Sequence, residues 1–359
     1  MSSCFGQILR LSVFGQSHGP AIGMVLDGFP VGFAVNEESV QKFLDRRAPG
    51  NQAYATSRKE ADQVHFLSGI VNGITCGAPI AAVIENTNTR SKDYSSLKDC
   101  PRPGHADYTA QIKYKGFQDV AGGGHFSGRL TAPICIAGAL CKEWLSEKGV
   151  QIAAKIHSIG GICDAVSLDP ISPNLDMIAS DFPVADRASG ERMQEAIAQA
   201  KANADSLGGT IQCYVKGLPV GLGEPMFDGL ESRLAQILFA IPAVKGVEFG
   251  SGFQCADMFG STHNDPYTVK KGKVITKSNH AGGILGGISN GMPLTFRIAI
   301  KPTPSIGSAQ QSISLSAMED KELSITGRHD PCIVPRAVAV VEAAASIAIM
   351  DAWLQYQAN

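Results

Sequence analysis

Residues 8–27, ILRLSVFGQSHGPAIGMVLD, hold two β-patterned runs separated by one short glycine-bounded turn. Residues 8–14 alternate well enough to form a strand, and residues 21–27 read as the next, ended by Gly28-Phe29-Pro30. No helix fits between them, so the pattern is not that of a βαβ unit. Residues 64–68 and 79–84 repeat it as two strands of a meander, and clean alternation returns at 150–159, 210–216 and 294–301. Helical periodicity lies elsewhere: from an Asn36 cap to Arg46-Arg47, then over residues 130–145, 191–206, 230–241 and 335–355. Asp228-Gly229-Leu230-Glu231 reads as a capping-box-like start, and Gly149 as the residue that stops the helix before it. Strands joined without helices, with long helices interspersed, predict an α+β fold and not a Rossmann sheet. No Gly-x-Gly-x-x-Gly fingerprint, Walker loop or linker breaks the chain, so residues 1–359 are expected to form a single domain.

Composition limits what such a domain can do. A net charge of −2 offers no field to draw in nucleic acid or a membrane, so any arginine cluster must act locally. The apolar run at 337–350 is interrupted by Glu342 and is too short to cross a bilayer. Nine cysteines without a CxxC pair read as reduced thiols of a cytoplasmic protein. Charged residues make up only 18 %, which predicts that subunit contacts cover part of the surface.

The chemistry concentrates in residues 101–129, PRPGHADYTAQIKYKGFQDVAGGGHFSGR. Pro101 and Pro103 stiffen the approach to Gly104-His105, so His105 is expected to be presented and not packed. Gly122-Gly123-Gly124 leads towards a helix N-terminus with Arg129 beside it, an arrangement that offers N–H groups and positive charge to a phosphate or carboxylate. His18 stands between glycines at a strand end. A second glycine-rich loop at 278–287 and Lys301 are candidates for gripping another anion, while His157, on the polar side of a strand, carries no assigned role. Gly327-Arg328-His329-Asp330-Pro331 sets a cation, an imidazole and a carboxylate together before the last helix. Several guanidinium forks with two imidazoles suit a small polyanion and proton transfer. Zinc is the rival use of histidine, but no His-x-x-His, His-Glu-x-x-His or Cys/His cluster supports it.

These stretches also resemble the chorismate synthase family in order and over nearly the whole chain. The matching segments include Phe14-Gly15-Gln16-Ser17-His18-Gly19, Asp45-Arg46-Arg47, Asp62-Gln63-Val64, Glu85-Asn86-Thr87-Asn88, Arg102-Pro103-Gly104-His105-Ala106-Asp107, Gly122-Gly123-Gly124, Ala243-Val244-Lys245-Gly246, Lys301-Pro302-Thr303 and Gly327-Arg328-His329-Asp330-Pro331. The resemblance implies a β-α-β sandwich of antiparallel sheets around a helical layer, assembled as a homotetramer. It implies a lyase that removes phosphate from 5-enolpyruvylshikimate 3-phosphate by anti-1,4-elimination to give chorismate, the last step of the shikimate pathway. Reduced FMN is the implied cofactor, with NADPH as reductant through a contact at Arg47, or a separate flavin reductase as donor.

Carried over by position, His105 is similar to the family's imidazole at the departing phosphate, His18 to the one that protonates reduced flavin, and Asp330 to the carboxylate of proton removal. Arg46, Arg47, Arg102, Arg129 and Arg328 are similar to its substrate-anion contacts. Flavin positions are matched by His125, Phe126, Ser127, Pro242, Ala243, Gly286, Lys301, Pro302, Thr303, Pro304, Ser305 and again Arg328. The chain departs from the pattern at His125-Phe126, where many members have Arg-Ser, at Ala48 and Ala53, where they have arginines, at Pro242 for Asn and at Pro304 for Ser.

Overall fold

The computed structural model describes residues 3–48, 62–87, 97–325 and 330–358. The opening hairpin forms as its sequence dictates: Arg10–Gly15 runs antiparallel to Ala21–Asp27, from Arg10 opposite Asp27 to Gly15 opposite Ile22. Around it a five-stranded sheet is ordered Cys4–Phe5, Arg10–Gly15, Ala21–Asp27, Ile80–Glu85, His65–Ser68. A second five-stranded sheet is ordered Val244–Phe249, Leu294–Ile300, Gly209–Lys216, Gln151–Ile159, Ile162–Cys163. All of these pairings are antiparallel. The expected α+β class and the sandwich of sheets about helices are therefore what the chain adopts.

Among the described residues the α-helices are α1 (Glu37–Asp45), α2 (Asp107–Lys113), α3 (Thr131–Glu147), α4 (Arg187–Ala202), α5 (Leu230–Phe239), α6 (Gly260–His263) and α7 (Val334–Ala358). Their ends follow local chemistry. Asn36 Oδ1 accepts the Ser39 N–H at 3.0 Å to open α1. Gly149, at φ +81°, closes α3 while Val150 N donates to Leu145 O. Helix α4 starts at Arg187, earlier than periodicity predicts, because Asp186 accepts from Ser189 N at 2.9 Å. The capping box expected for α5 does not form. Asp228 instead receives Gln7 Nε2 at 2.9 Å, and Gly229 precedes the helix without a side-chain cap.

Helices α3 and α7 form the middle layer, α3 against the first sheet and α7 against the second. The inner faces that meet them carry Ile22, Met24, Leu26 and Ile80 on one side, and Ile211, Cys213, Val215 and Phe296 on the other, all buried. Burying each large apolar side chain stabilises the fold by about 1.5–3 kcal/mol. Gly138 lets the two helices approach: a Cβ there would stand 2.2 Å from Ala343 Cβ. By length and composition α7 could span a bilayer, a longer apolar element than the sequence suggests, yet 89 % of its most apolar window is buried inside the protein.

Polar groups in this layer are paired. Glu342 on α7 accepts both Arg46 Nη atoms at 2.8 Å, Lys142 Nζ at 2.5 Å and the Ala154 N–H of the second sheet at 3.1 Å. Burial opposes its ionisation, but Lys142 and Arg46 outweigh burial and hold its pKa lowered to about 2. Asp351 accepts Arg233 Nη1 at 2.9 Å and the backbone N–H groups of Gln7, Ile8 and Leu9, tying the N-terminal segment to α7.

A candidate active site between two imidazoles and an arginine cluster

A cleft of about 680 Å³ opens where α3 and α7 begin. The N-terminal turns of both buried helices reach it, through Thr131 from α3 and through Arg336, Ala337 and Val340 from α7. The loops that complete it are residues 102 and 104–106, residues 122 and 125–129, the 239–245 segment that leaves α5, and residues 301 and 303–305 beyond the strand Leu294–Ile300.

The triple glycine runs through two short 3-10 turns to the start of α3 at Thr131, as expected, and its own backbone makes a set of close contacts. Gly122, Gly123 and Gly124 have φ of +60°, +85° and +54°. A Cβ on Gly122 would lie 2.1 Å from both His18 Nδ1 and Cε1, and one on Gly123 would lie 3.2 Å from His105 Nε2. Gly124 O accepts the Ser17 N–H at 3.1 Å. One turn of backbone thus carries an imidazole on each of two successive residues, which no side chain at 122 would permit. Ser17 Oγ lies 3.1 Å from His18 Nδ1 and donates to Ala121 O, holding that histidine loop to the same turn.

His105 is packed more closely than its proline-stiffened approach predicts: its side chain is 16 % exposed. Gly104, at φ +71°, makes the turn, and Lys301 Nζ donates to its carbonyl. His105 Nδ1 is 2.6 Å from Asp107 Oδ1. Asp107 also accepts Arg102 Nε and Nη2, each at 2.7 Å, and Arg102 Nη1 reaches Ser305 Oγ at 3.1 Å. Burial works against the Asp107 carboxylate, but the bonds from Arg102 and His105 prevail and hold its pKa well below the usual range.

A second acid organises the deep wall. Asp62, with a fully buried side chain, accepts Arg47 Nη1 at 2.7 Å and Arg129 Nη1 at 2.5 Å. Arg47 Nε and Nη2 are held by Thr131 Oγ1 and Gly128 O, each at 3.2 Å. Arg129 Nε meets Asn86 Oδ1 at 2.7 Å, and Asn86 Nδ2 bonds Gln16 O and Gly19 O on either side of His18. Arg336 Nε donates to Arg47 O at 3.0 Å and its Nη1 pairs with Asp330. Burial, followed by the neighbouring Arg336 and Arg129, lowers the Arg47 pKa against the pull of Asp62. An anion entering here would relieve that repulsion.

Arg47, Arg102, Arg129, Arg336, Lys245 and Lys301 face one carboxylate, Asp330, among the described lining residues. Even counting Asp62 and Asp107 behind them, the site keeps an excess of positive charge in a chain of net charge −2. The lining also has apolar members, Phe239, Ile241, Ile333 and Val340. Thr303 Oγ1 is buried without a hydrogen-bond partner, and Ala243 sits at φ +75°, a conformation a non-glycine residue rarely adopts. A planar ligand with a polar edge against residues 301–305 fits these features.

Of the residues expected from sequence, His105, Arg47, Arg102, Arg129, Asp330, His125, Phe126, Ser127, Pro242, Ala243, Lys301, Thr303, Pro304 and Ser305 line the cleft together, and His18 lies against its Gly122. Pro302 is not in the lining. Arg46 is not in it either, because its guanidinium is bonded to Glu342 beneath the Phe43 ring. Gly286 is the turn of the hairpin Ile284–Leu285 with Ile288–Ser289, away from the cleft. The glycines around it serve backbone packing: a Cβ on Gly287 would lie 2.3 Å from Glu224 O, and one on Gly282 2.4 Å from Gly250 N. Arg328 and Ala53 lie outside the described residues. His125 Nδ1 bonds Gly15 O at 2.9 Å and its Nε2 meets Ser3 Oγ at 2.9 Å, while Phe126 packs against Tyr114. Sequence reasoning assigned no role to Arg336, Asp62, Asp107, Thr131 or Lys245. An arginine inside an alanine-rich apolar helix, and a carboxylate two residues after a candidate histidine, were the available signals.

Fold and cleft together set two histidines beside a cluster of cations, an arrangement suited to a small polyanion. The sequence profile of the family described as Chorismate synthase matches residues 9–354. The chain is 46 % identical over 352 residues to a chorismate synthase of Dehalococcoides mccartyi, covering 98 % of this chain and 96 % of that protein. It is 46 % identical over 348 residues to one from Korarchaeum cryptofilum, covering 97 % and 96 %, and 43 % identical over 354 residues to one from Thermococcus kodakarensis, covering 98 % of each. A crystal structure of chorismate synthase superposes with a TM-score of 0.75 at 28 % identity, covering 98 % of this chain and 93 % of that one. The chain belongs to the chorismate synthase family.

Proposed function

We propose that this protein is a carbon–oxygen lyase that converts 5-enolpyruvylshikimate 3-phosphate to chorismate by eliminating phosphate and a ring hydrogen, with reduced FMN bound in the same cleft. The observation that carries this reading is the cluster of cations that lines one cleft with two imidazoles set on successive glycines. Arg47, Arg129 and Arg336 hold the substrate's anionic groups, their forks matching carboxylate and phosphate oxygens. His105 delivers a proton from Nε2 to the leaving phosphate oxygen, and His18, on the adjacent glycine, holds a second proton on the cofactor side. Asp330, held by Arg336, is the carboxylate that takes up the proton lost from the ring.

Phe239, Ile241, Ile333 and Val340 exclude water, while Thr303, Ser305 and the Ala243 backbone bind the polar edge of the flavin. Reduced flavin, when bound, supplies transient electron density that lowers the barrier to carbon–oxygen cleavage. Reduction by NADPH with its nicotinamide near Arg47, or by a separate flavin reductase, completes the reading. So does assembly as a homotetramer, supported by the exposed Phe227, Phe253 and Phe259, at 87 %, 84 % and 80 %. A cytoplasmic location is supported by nine cysteines that are all free thiols.

Anaerobic mixing with substrate and substoichiometric reduced FMN tests the reaction. The expected result is one phosphate and one chorismate per substrate, followed by phosphate assay and ultraviolet absorbance, over many turnovers of flavin. Product formation only in step with consumed reductant would mean a net oxidoreductase instead.

A further inference from the structure

His105 Nδ1 has two polar neighbours, Asp107 Oδ1 at 2.6 Å and Arg102 Nη2 at 3.0 Å, and it cannot serve both. A guanidinium only donates and an ionised carboxylate only accepts. Arg102 Nη2 gives one of its two hydrogens to Asp107 Oδ1 at 2.7 Å, but a bare Nδ1 would set its lone pair 2.6 Å from an ionised carboxylate oxygen, so the shorter contact decides and Nδ1 carries the proton. The remaining bonds make Asp107 a saturated acceptor: Oδ2 takes Arg102 Nε at 2.7 Å and the Arg102 backbone N–H at 3.0 Å. With Nδ1 committed, the other ring nitrogen, Nε2, lies against Gly123, on a ring that lines the cleft beside Gly122.

From this geometry we propose that Asp107 is a positioning residue that fixes His105 in its Nδ1–H form, so that Nε2 alone exchanges protons with the ligand, and that the same carboxylate orients Arg102. The inference rests on the reading of the cleft given above for its kinetic consequence, but not for the tautomer itself. Asp107 couples two halves of the site. Through Arg102 Nη1 and Ser305 Oγ it reaches the 301–305 loop, and through His105 it reaches the triple glycine. An unanchored neutral imidazole would divide between two tautomers, one of them presenting an N–H where an acceptor is needed when the proton returns. The charged groups around His105 are Asp107 and Arg102 on its own segment, Lys301 bonded to Gly104 O, and Arg129, Arg47, Arg336, Lys245 and Asp330 in the lining of the same cleft.

The test uses the full chain labelled with 15N-histidine, with His105→Gln to assign the resonance, in wild type, Asp107→Asn and Asp107→Glu. Long-range 1H–15N spectra of the ligand-free protein, recorded where the ring is neutral, are expected to show a protonated Nδ1 and a bare Nε2 in the wild type. Asp107→Asn should shift the ring to a mixed or reversed tautomer, and Asp107→Glu should restore the wild-type pattern at least in part. In the elimination assay, Asp107→Asn should lower kcat by about 10²–10⁴-fold, as loss of an orienting carboxylate does elsewhere, with KM changed less than about tenfold and with partial rescue by Glu. A wild-type tautomer in folded Asp107→Asn overturns the proposal, as does unchanged kcat when the tautomer has changed. An inactive wild type contradicts the function proposed for the cleft, and the spectra still decide the tautomer.

Discussion

Replacing Gly122 with alanine separates catalysis from stability more cleanly than removing a functional group. The added Cβ would stand 2.1 Å from His18 Nδ1 and Cε1, and 2.7 Å from Ser17 Oγ. Ordinary contact is about 3.5–4.0 Å, so something must move by roughly 1.5 Å. The obstructing atoms are side-chain ends, and the imidazole can swing aside without disturbing the sheet. The stability cost is therefore mostly that of a methyl group at φ +60°, about 1–2 kcal/mol. Activity should suffer more, because displacement of a reacting group by about 1 Å can cost ~10²-fold. Steady-state kinetics with the phosphorylated substrate, beside thermal unfolding, should show kcat at least ~10²-fold lower and Tm lower by only a few degrees. A folded Gly122→Ala variant with turnover within about threefold of wild type would refute the placement of His18 in the mechanism.

Gly138→Ala should do the reverse, since its Cβ would meet Ala343 Cα at 2.4 Å on a backbone that cannot yield; unfolding titrations should show a loss of about 1–3 kcal/mol or more, with kcat of the folded fraction unchanged. Arg129→Ala should weaken substrate binding by more than about tenfold in a titration, one lost charge-assisted contact being worth about 1.5–3 kcal/mol. Arg46→Ala should leave KM alone and lower stability, because that guanidinium serves Glu342 and not the cleft. Glu342→Gln should cost about 1.5–3 kcal/mol through the charge-assisted bonds lost to Arg46 and Lys142, both of which can still reach solvent. In the wild type the Glu342 contribution, with its pKa depressed to about 2, is complete above the unfolded value of 4.5 and is lost as pH falls towards 2; acid-unfolding curves of the two proteins should accordingly converge in that window.

Much of the fold was legible because local pattern and tertiary environment agree. Residues 8–14 alternate and supply the strand Arg10–Gly15, residues 21–27 become the strand Ala21–Asp27, Asn36 caps α1, and Gly149 ends α3. Where the two disagree, nonlocal partners decide. Asp228 does not cap α5 because Gln7, distant in sequence, takes its carboxylate. The helix expected over residues 335–355 forms as α7, and Glu342, which looks like an interruption of its apolar run, is neutralised there by Arg46 and Lys142 from other elements. In the site, glycines and histidines announced themselves by type, but their pairing across residues 18, 105 and 122–123 is a matter of backbone placement. Arg46 and Arg47 are neighbours with the same chemistry, and only the helix geometry sends one to Glu342 and the other to Asp62.

The most direct measurement is a crystal structure of the protein with FMN and 5-enolpyruvylshikimate 3-phosphate. Density for the phosphate within hydrogen-bond distance of His105 Nε2 and the arginine cluster, with the flavin ring against Phe239, Ile241 and Ile333, is the predicted result. Ligand density elsewhere on the protein, with the space between Gly122, Arg129 and Asp330 left to solvent, would contradict the account.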